Sequence, residues 1–159
     1  MSNMKELLRT IPQIGNVDFI SIRPERKILP TTLEMVKISI ENGLEGDHYG
    51  GRSRKRQVTL IQAEHLNVVA SLLEKNTIDP LLTRRNIVVS GVNLLAFKNM
   101  QFQIGEEVIL EMTGACHPCS QMETNFGAGG YNAMRGHGGI TAKVIQGGEI
   151  KIGDKIKLV

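Results

Sequence analysis

The chain closes with Thr141-Ala142-Lys143-Val144-Ile145, a glycine pair at Gly147-Gly148, a second turn at Gly153-Asp154, and Lys155-Ile156-Lys157-Leu158-Val159. These are two short strands linked by turns, with no helix between them. The same style recurs upstream. Residues 102–112 alternate through Val108, Leu110 and Met112 and are broken by Gly105. Residues 87–89 form an apolar run of the kind buried strands carry, and residues 57–61 put Val58 and Leu60 on one face. Residues 33–40, after a turn at Pro30, and residues 14–22, stopped by Pro24, complete the strand set. Between residues 43 and 51, four glycines mark an extended loop. The clearest helix is residues 63–75, where Leu66, Val69, Ala70 and Leu73 form one stripe and Asn76 is a stop signal. Met4, Leu7, Leu8 and Ile11 predict a short amphipathic helix within residues 1–12.

Seven to nine short strands against one clear helix predict a mainly β fold with minor α. The frequent glycine turns favour a mostly antiparallel sheet, closed into a barrel or sandwich, over alternating βαβ units. No repeat, low-complexity tract or linker divides the 159 residues, so one domain over 1–159 is expected. Aromatics are 4% with no Trp, which leaves the core to Ile, Val, Leu and Met. The formal charge of +3 is mild, but Arg52, Arg54, Lys55 and Arg56 cluster, and Arg84 and Arg85 are adjacent. Neither a signal peptide nor a membrane-spanning run is legible. A cytoplasmic, reducing location is the default, where a cysteine pair is more often catalytic or metal-binding than a staple.

Both cysteines of the chain lie in Gly114-Ala115-Cys116-His117-Pro118-Cys119, between a strand and a glycine-rich stretch ending Met134-Arg135-Gly136-His137-Gly138-Gly139. Such surroundings favour a thiolate. A dithiol oxidoreductase would need a long helix after Cys119 and a βαβ context, and neither is legible. Cys116, His117, Cys119 and His137 could supply four zinc ligands, but His117 sits inside the pair and no recognised spacing completes the set. A small buried hydrophobe is the remaining reading of Cys119; Pro118 and the following glycines argue against regular buried backbone there. The residues alone leave a functional and a structural thiol open.

The basic clusters read as a solvated face or as an anion site. Nucleic acid is disfavoured, because aromatics to stack bases are scarce. Arginines and glycine-flanked backbone suit a small phosphate-like ligand. His48 is a loop residue beside Asp47, and His65 is structural.

Several segments together resemble the MOSC family, named for the C-terminal domain of molybdenum cofactor sulfurase. They are Gly43-Leu44-Glu45-Gly46-Asp47, Arg56-Gln57-Val58-Thr59-Leu60-Ile61, Arg84-Arg85-Asn86-Ile87-Val88, the turn at Gly105, Cys116-His117-Pro118-Cys119, Arg135 through Gly139, and Gly148 through Asp154. The resemblance covers about residues 43–159; residues 1–42 match loosely. It implies a closed β-barrel like the pyruvate kinase barrel domain, a small free-standing member, and Cys119 as the central functional residue. Cys116 matches an extra cysteine of one branch, and Arg84, Arg85 and Asn86 a segment lining the cofactor pocket. Asp47, Arg56 and His137 fall within the matched segments, His48 stands at the variable position that follows Asp47, and these four complete the expected binding set.

The resemblance implies two chemistries, both of which use Cys119 as thiolate. In one it carries sulfane sulfur as a persulfide to a metal–sulfur site, with His117, Arg135 or His137 favouring the anion. In the other it ligates molybdenum of a pterin cofactor, with Arg84 and Arg85 on the pterin phosphate, for reduction of N-hydroxylated compounds. A carrier or cofactor-binding role ranks above an independent reductase, which would need an electron partner. A non-catalytic anion-binding barrel is the third class. No PLP-dependent desulfurase activity is expected of this chain, so a cysteine desulfurase or other donor, and an acceptor or redox partner, are expected. An unpaired barrel edge would support a homodimer. The thiol is expected at the mouth of a barrel pocket lined by guanidinium groups.

Overall fold

The computed structural model describes residues 3–49 and 53–159. Eleven strands run in chain order as β1 Gly15–Ile22, β2 Thr31–Leu33, β3 Met35–Ser39, β4 Gly43–Leu44, β5 Val58–Gln62, β6 Ile87–Ser90, β7 Gln101–Ile104, β8 Val108–Ala115, β9 Ile140–Gln146, β10 Gly148–Lys151 and β11 Lys155–Leu158. Four helices accompany them: α1 Met4–Arg9, α2 Ala63–Leu72, α3 Gln121–Phe126 and α4 Gly130–Met134.

Seven strands form a closed barrel in the order β11-β7-β8-β9-β5-β6-β1, and β1 pairs back onto β11. Gly15 lies opposite Ile156 at that seam. Among the described residues only β5 and β6 run parallel, and α2 makes the long crossover this requires. One βαβ unit is thus embedded in an otherwise antiparallel barrel. Closure removes the free barrel edge on which the homodimer expectation rested. A small second sheet, β10-β3-β4, flanks the barrel.

Several segments depart from the sequence expectation. Residues 33–40 are two strands split at Glu34: β2 stays on β1, whereas β3 leaves for the second sheet. Residues 102–112 are the hairpin β7–β8 turning at Gly105. The stretch between Gly147 and Gly153, read as turns alone, contains β10, and the glycine loop after residue 43 contains β4. Helix α2 ends at Leu72 rather than at Lys75, because Glu74 takes φ +55 and Lys75 N–H closes on the Ala70 carbonyl. Helix α1 is held by a reciprocal Asn3/Glu6 capping box. Its Met4, Leu7 and Leu8 remain exposed, and only the following Ile11 packs on the core.

The barrel interior is filled. Ile20, Leu60, Ile87, Phe102, Leu110 and Ile140 are among the fully buried residues there, and Phe97 stacks on Phe102 at 4.9 Å. The described cavity next to the cysteine loop, lined by His117, Pro118, Tyr131, Arg135 and Gly136, lies outside this interior. A second apolar layer lies outside the wall: Leu66, Val69 and Ala70 of α2, Met122 and Phe126 of α3, and Ala133 and Met134 of α4 cover Ile61 and Val88. Strand β5 shows the split, with Leu60 inward and Ile61 outward; Thr59 shares the outward side by the period of two. Among the described residues, no helix is long and apolar enough to cross a membrane.

The loop entering β9 passes very close to β5. A Cβ on Gly139, at φ +86, would meet the Leu60 carbonyl at 1.9 Å, whereas one on Gly127, also at φ +86, would meet nothing. Gly127→Ala should therefore cost only the backbone strain at φ +86, ψ −173, a region essentially reserved for glycine, on the order of 1–3 kcal/mol, while Gly139→Ala should cost clearly more or prevent folding. Thermal denaturation of both variants checks this.

Candidate functional site: a cysteine loop clamped by a buried guanidinium

The entry into β6 organises the site on the outer wall of the barrel. A single 3-10 turn, Pro80–Thr83, is capped by the Asp79 side chain and ends at Arg84 in the left-handed region, φ +59. That reversal turns Arg85 inward, where it is only 6% exposed. Its Nε donates to the Gly138 carbonyl at 2.8 Å and one terminal nitrogen to the Thr83 carbonyl at 3.0 Å. The other terminal nitrogen donates to the carbonyls of Cys116 and His117 at 3.4 and 3.5 Å. One guanidinium thereby ties the β6 entry to the cysteine loop and to the glycine loop before β9. Gly138 has to be a glycine here, since a Cβ would stand 2.2 Å from the Cys116 carbonyl oxygen.

The described residues contain two ion pairs, Arg23–Asp47 and Lys143–Glu111, so Arg85 is buried without a carboxylate partner. Burial makes it less basic than an ordinary arginine; of the nearby charges, Cys116 and Cys119 oppose that shift, and Arg23 and Arg56 add to it. Arg84 is shifted the same way by burial and by Arg23, against Tyr49, Cys119 and Asp47. Both thiols therefore sit in the field of adjacent arginines.

Asn86 is fully buried beside them. Its carbonyl oxygen accepts from the Thr59 amide and hydroxyl and from Arg23, and its amide donates to Ser21 O and Asp47 Oδ1, all within 3.1–3.2 Å. Asp47 receives Arg23 side-on, Nε to Oδ1 at 3.1 Å and the terminal nitrogen to Oδ2 at 2.9 Å. Burial alone would raise the Asp47 pKa; the hydrogen bonds and charge of Arg23 outweigh it and hold the carboxyl below its ordinary value of 3.8. The Arg23 guanidinium also lies 4.5 Å from the centre of the Tyr49 ring. Asp47, Arg85 and Asn86, expected to line a binding site, are thus committed to internal bonds that position their neighbours.

The loop itself is irregular from Cys116 to Cys119. Cys116 is buried and Cys119 exposed, and both thiols are free. The Cys119 carbonyl accepts from Met122 N–H at the start of α3. A helix does follow the second cysteine, but it has six residues and is not the long helix a dithiol oxidoreductase would need. His117, Pro118, Tyr131, Arg135 and Gly136 line a cavity of about 550 Å³ next to the thiol in sequence. Arg135 makes one side-chain bond, to Asn132 at 3.3 Å. The larger cavity, about 740 Å³, lies against the small sheet between Lys37, Glu45, Glu107 and Glu149 and contains neither cysteine.

The remaining expected residues disperse. His137 bonds the Ala133 carbonyl through Nδ1 and meets His65 edge-on at 5.4 Å, so it faces α2. Burial, then the charge of His137, holds His65 below the ordinary histidine range. His48 bonds the Arg23 carbonyl through Nδ1 at 2.7 Å, and its Nε2 is buried without a partner among the described residues. Arg84 donates to the Ile28 carbonyl at 2.5 Å, and Arg54 to Val144 at 3.0 Å. Arg56 is exposed, and Arg52 lies outside the described residues. Among the described residues, no three His, Cys, Asp or Glu side chains gather to hold a metal, so the four-ligand zinc set is not assembled. The sequence reading missed Arg23, Thr83, Tyr49 and Tyr131. Arg23 follows a strand and precedes Pro24, where nothing in the pattern separates a buried arginine from a solvated one.

A family model for the MOSC domain matches residues 45–157. The chain belongs to the MOSC domain family. The MOSC fold is equally evident in solved structures. The YUAD protein from Bacillus subtilis superposes with a TM-score of 0.80 at 17% identity, over 92% of this chain and 97% of that one. YiiM from Geobacillus stearothermophilus gives 0.73 at 15% identity, over 91% and 75% of the two chains. YiiM from Escherichia coli gives 0.67 at 19% identity, over 91% and 69%. None of the curated protein sequences matches this one. The matched region contains Asp47, Arg84, Arg85, Asn86 and both cysteines of the MOSC chain, but not Arg23, which closes the Asp47 network from outside it.

Two outcomes follow from this geometry. Removing Asp47 leaves Arg23 buried and unpaired, so Asp47→Ala should lose about 3–5 kcal/mol in denaturant unfolding. Because the folded-state pKa of Asp47 is lowered, its contribution is present above the unfolded value and is lost as pH falls through the lower, folded one. Acid titration should show wild-type destabilisation beginning near pH 3.8 and continuing below it, a component absent from Asp47→Asn.

Proposed function

We propose that this MOSC protein carries sulfane sulfur on Cys119. The observation that supports it most is the pairing of an exposed thiol with a loop clamped by a buried guanidinium that lacks a carboxylate partner. A thiolate or persulfide anion at Cys119 has the sign that Arg84 and Arg85 favour. The thiolate attacks the terminal sulfur of a donor persulfide. A new S–S bond forms at Cys119 and the donor's own S–S bond breaks, its electron pair leaving with the donor thiolate. A cysteine desulfurase, supplying protein persulfide from cysteine, is the donor class this step needs. The acceptor is a metal–sulfur site or another thiol. Arg135 and His117, lining the cavity next to the loop, are the groups placed to meet an anionic donor or acceptor.

A second reading shares the same thiol. The family is associated with the molybdenum cofactor, and the donor set here fits such a group: a soft exposed thiolate with cations around it. Cys119 would be its metal ligand, and Arg56 and Arg135 the partners for its phosphate. Arg85 and Asn86 would hold the loops rather than touch the ligand, since their polar atoms are already bonded. Bound there, the cofactor would supply redox chemistry on N-hydroxylated compounds, with electrons from a separate partner.

Incubation with a cysteine desulfurase and cysteine should leave cyanide-labile sulfur on the wild type and none on Cys119→Ala. Label retained in Cys119→Ala would contradict the carrier assignment. Molybdenum and pterin at about one per chain after reconstitution, lost in Cys119→Ala, would instead establish the cofactor reading.

A further inference from the structure

We propose that Cys116 is a resolving thiol, which discharges sulfur from Cys119 as hydrosulfide and leaves an internal disulfide. The proposal rests on the persulfide reading above. Cys116 is a nucleophile that neither reading uses, and it is 3% exposed, three residues from the exposed Cys119. They are the only two cysteines of the chain. The Arg85 guanidinium, buried without a carboxylate partner among the described residues, lies within electrostatic reach of both sulfurs and bonds the carbonyls of Cys116 and His117 between them. A negative charge on either sulfur therefore faces the same unpaired cation.

The backbone between the thiols is able to close. Residues 116–119 belong to no strand or helix. The main-chain bonds on them run outward, from Cys116 N–H to Gly139 and from Met122 N–H to Cys119. No ladder holds His117 and Pro118 extended. A disulfide requires Cα atoms about 4.4–6.8 Å apart, a span that a turn over two residues reaches. Burial shields Cys116 from outside thiols and oxidants, which leaves it to react with what Cys119 presents.

The step balances. The Cys116 thiolate attacks Sγ of the Cys119 persulfide, and the Sγ–Sγ bond forms. The bond from Cys119 Sγ to the terminal sulfur breaks, and its electron pair leaves with that sulfur as hydrosulfide. The sulfane sulfur is reduced by two electrons and the two cysteine sulfurs are oxidised to the disulfide. An external dithiol resets the pair by exchange. Without such a reductant, each chain releases one sulfide and stops.

The test loads wild type and Cys116→Ser with inorganic polysulfide, removes the excess by desalting without reductant, and follows two signals. One is sulfide released; the other is the mass of the peptide spanning both cysteines. Wild type should release sulfide while its peptide passes from one added sulfur to the mass of an internal disulfide. Cys116→Ser should keep cyanide-labile sulfur on Cys119 over the time in which wild type has lost it. Equal sulfide release from both proteins, or a wild-type persulfide that persists without a disulfide, would overturn the resolving role. The wild-type peptide mass decides the matter even if the variant folds poorly. Absence of labile sulfur from both proteins at the first time point would overturn the carrier reading itself, a different result from either.

Discussion

The guanidinium of Arg85 is the constraint on which the site depends. Taking an arginine out of water without a counter-ion costs several kcal/mol, and here four main-chain carbonyls, from Thr83, Gly138, Cys116 and His117, offset that cost. Those carbonyls come from three loops that are far apart in the chain. A shorter or pointlike cation could not reach them all, because the planar fork distributes its donors in fixed directions. The consequence is mechanical and electrical together. The cysteine loop is fixed against the β6 entry, and a positive charge without a carboxylate partner among the described residues is left against the main chain of that loop.

The barrel supplies the rigid frame for this arrangement but not the site. Its interior is filled by buried apolar side chains, Phe97 and Phe102 among them, and the polar groups described above sit on the wall and the loops. The wall between β1, β6 and β5 carries Ser21, Asn86 and Thr59 outward; the Ser21 hydroxyl donates to the Arg85 carbonyl, and Asn86 bonds Thr59, Asp47 and Arg23 instead of solvent. Buried polar networks are favourable only when satisfied, and Asn86 is satisfied on every side. The outer helices α3 and α4 then set the far side of the loop. Glu123 joins them by accepting from Gly129 and Tyr131 N–H, bonds that hold its pKa below the ordinary glutamate value.

Much of this was legible in the sequence where the pattern had a period. The alternation in residues 57–61 and 141–145 and the stripe of Leu66, Val69 and Ala70 match β5, β9 and α2, because burial on one face leaves a mark on residue type. The exposed Cys119 was legible from Pro118 and the glycines beside it. The split at Glu34 and the small strand β10 were not, because a change of sheet leaves the apolar period intact. Nor was the role of Arg85 and Asn86. An arginine that bonds carbonyls and one that binds phosphate carry the same letter, and only the positions of Gly138, Cys116 and His117 in space separate them. Arg23 was invisible for the same reason, and His137 turned toward His65 because its own loop, not its charge, fixes it.

Alkylation of the two thiols in the folded protein measures the central claim most directly. Rates are read peptide by peptide across pH for wild type and Arg85→Lys, with circular dichroism to confirm folding. The account predicts that Cys119 of the wild type is modified first while Cys116 stays protected. In Arg85→Lys the clamp on the Cys116 and His117 carbonyls is weakened, so Cys116 should become reactive and the lead of Cys119 over it should shrink. Equal modification of both cysteines in the wild type, or identical profiles in the two proteins, would contradict it.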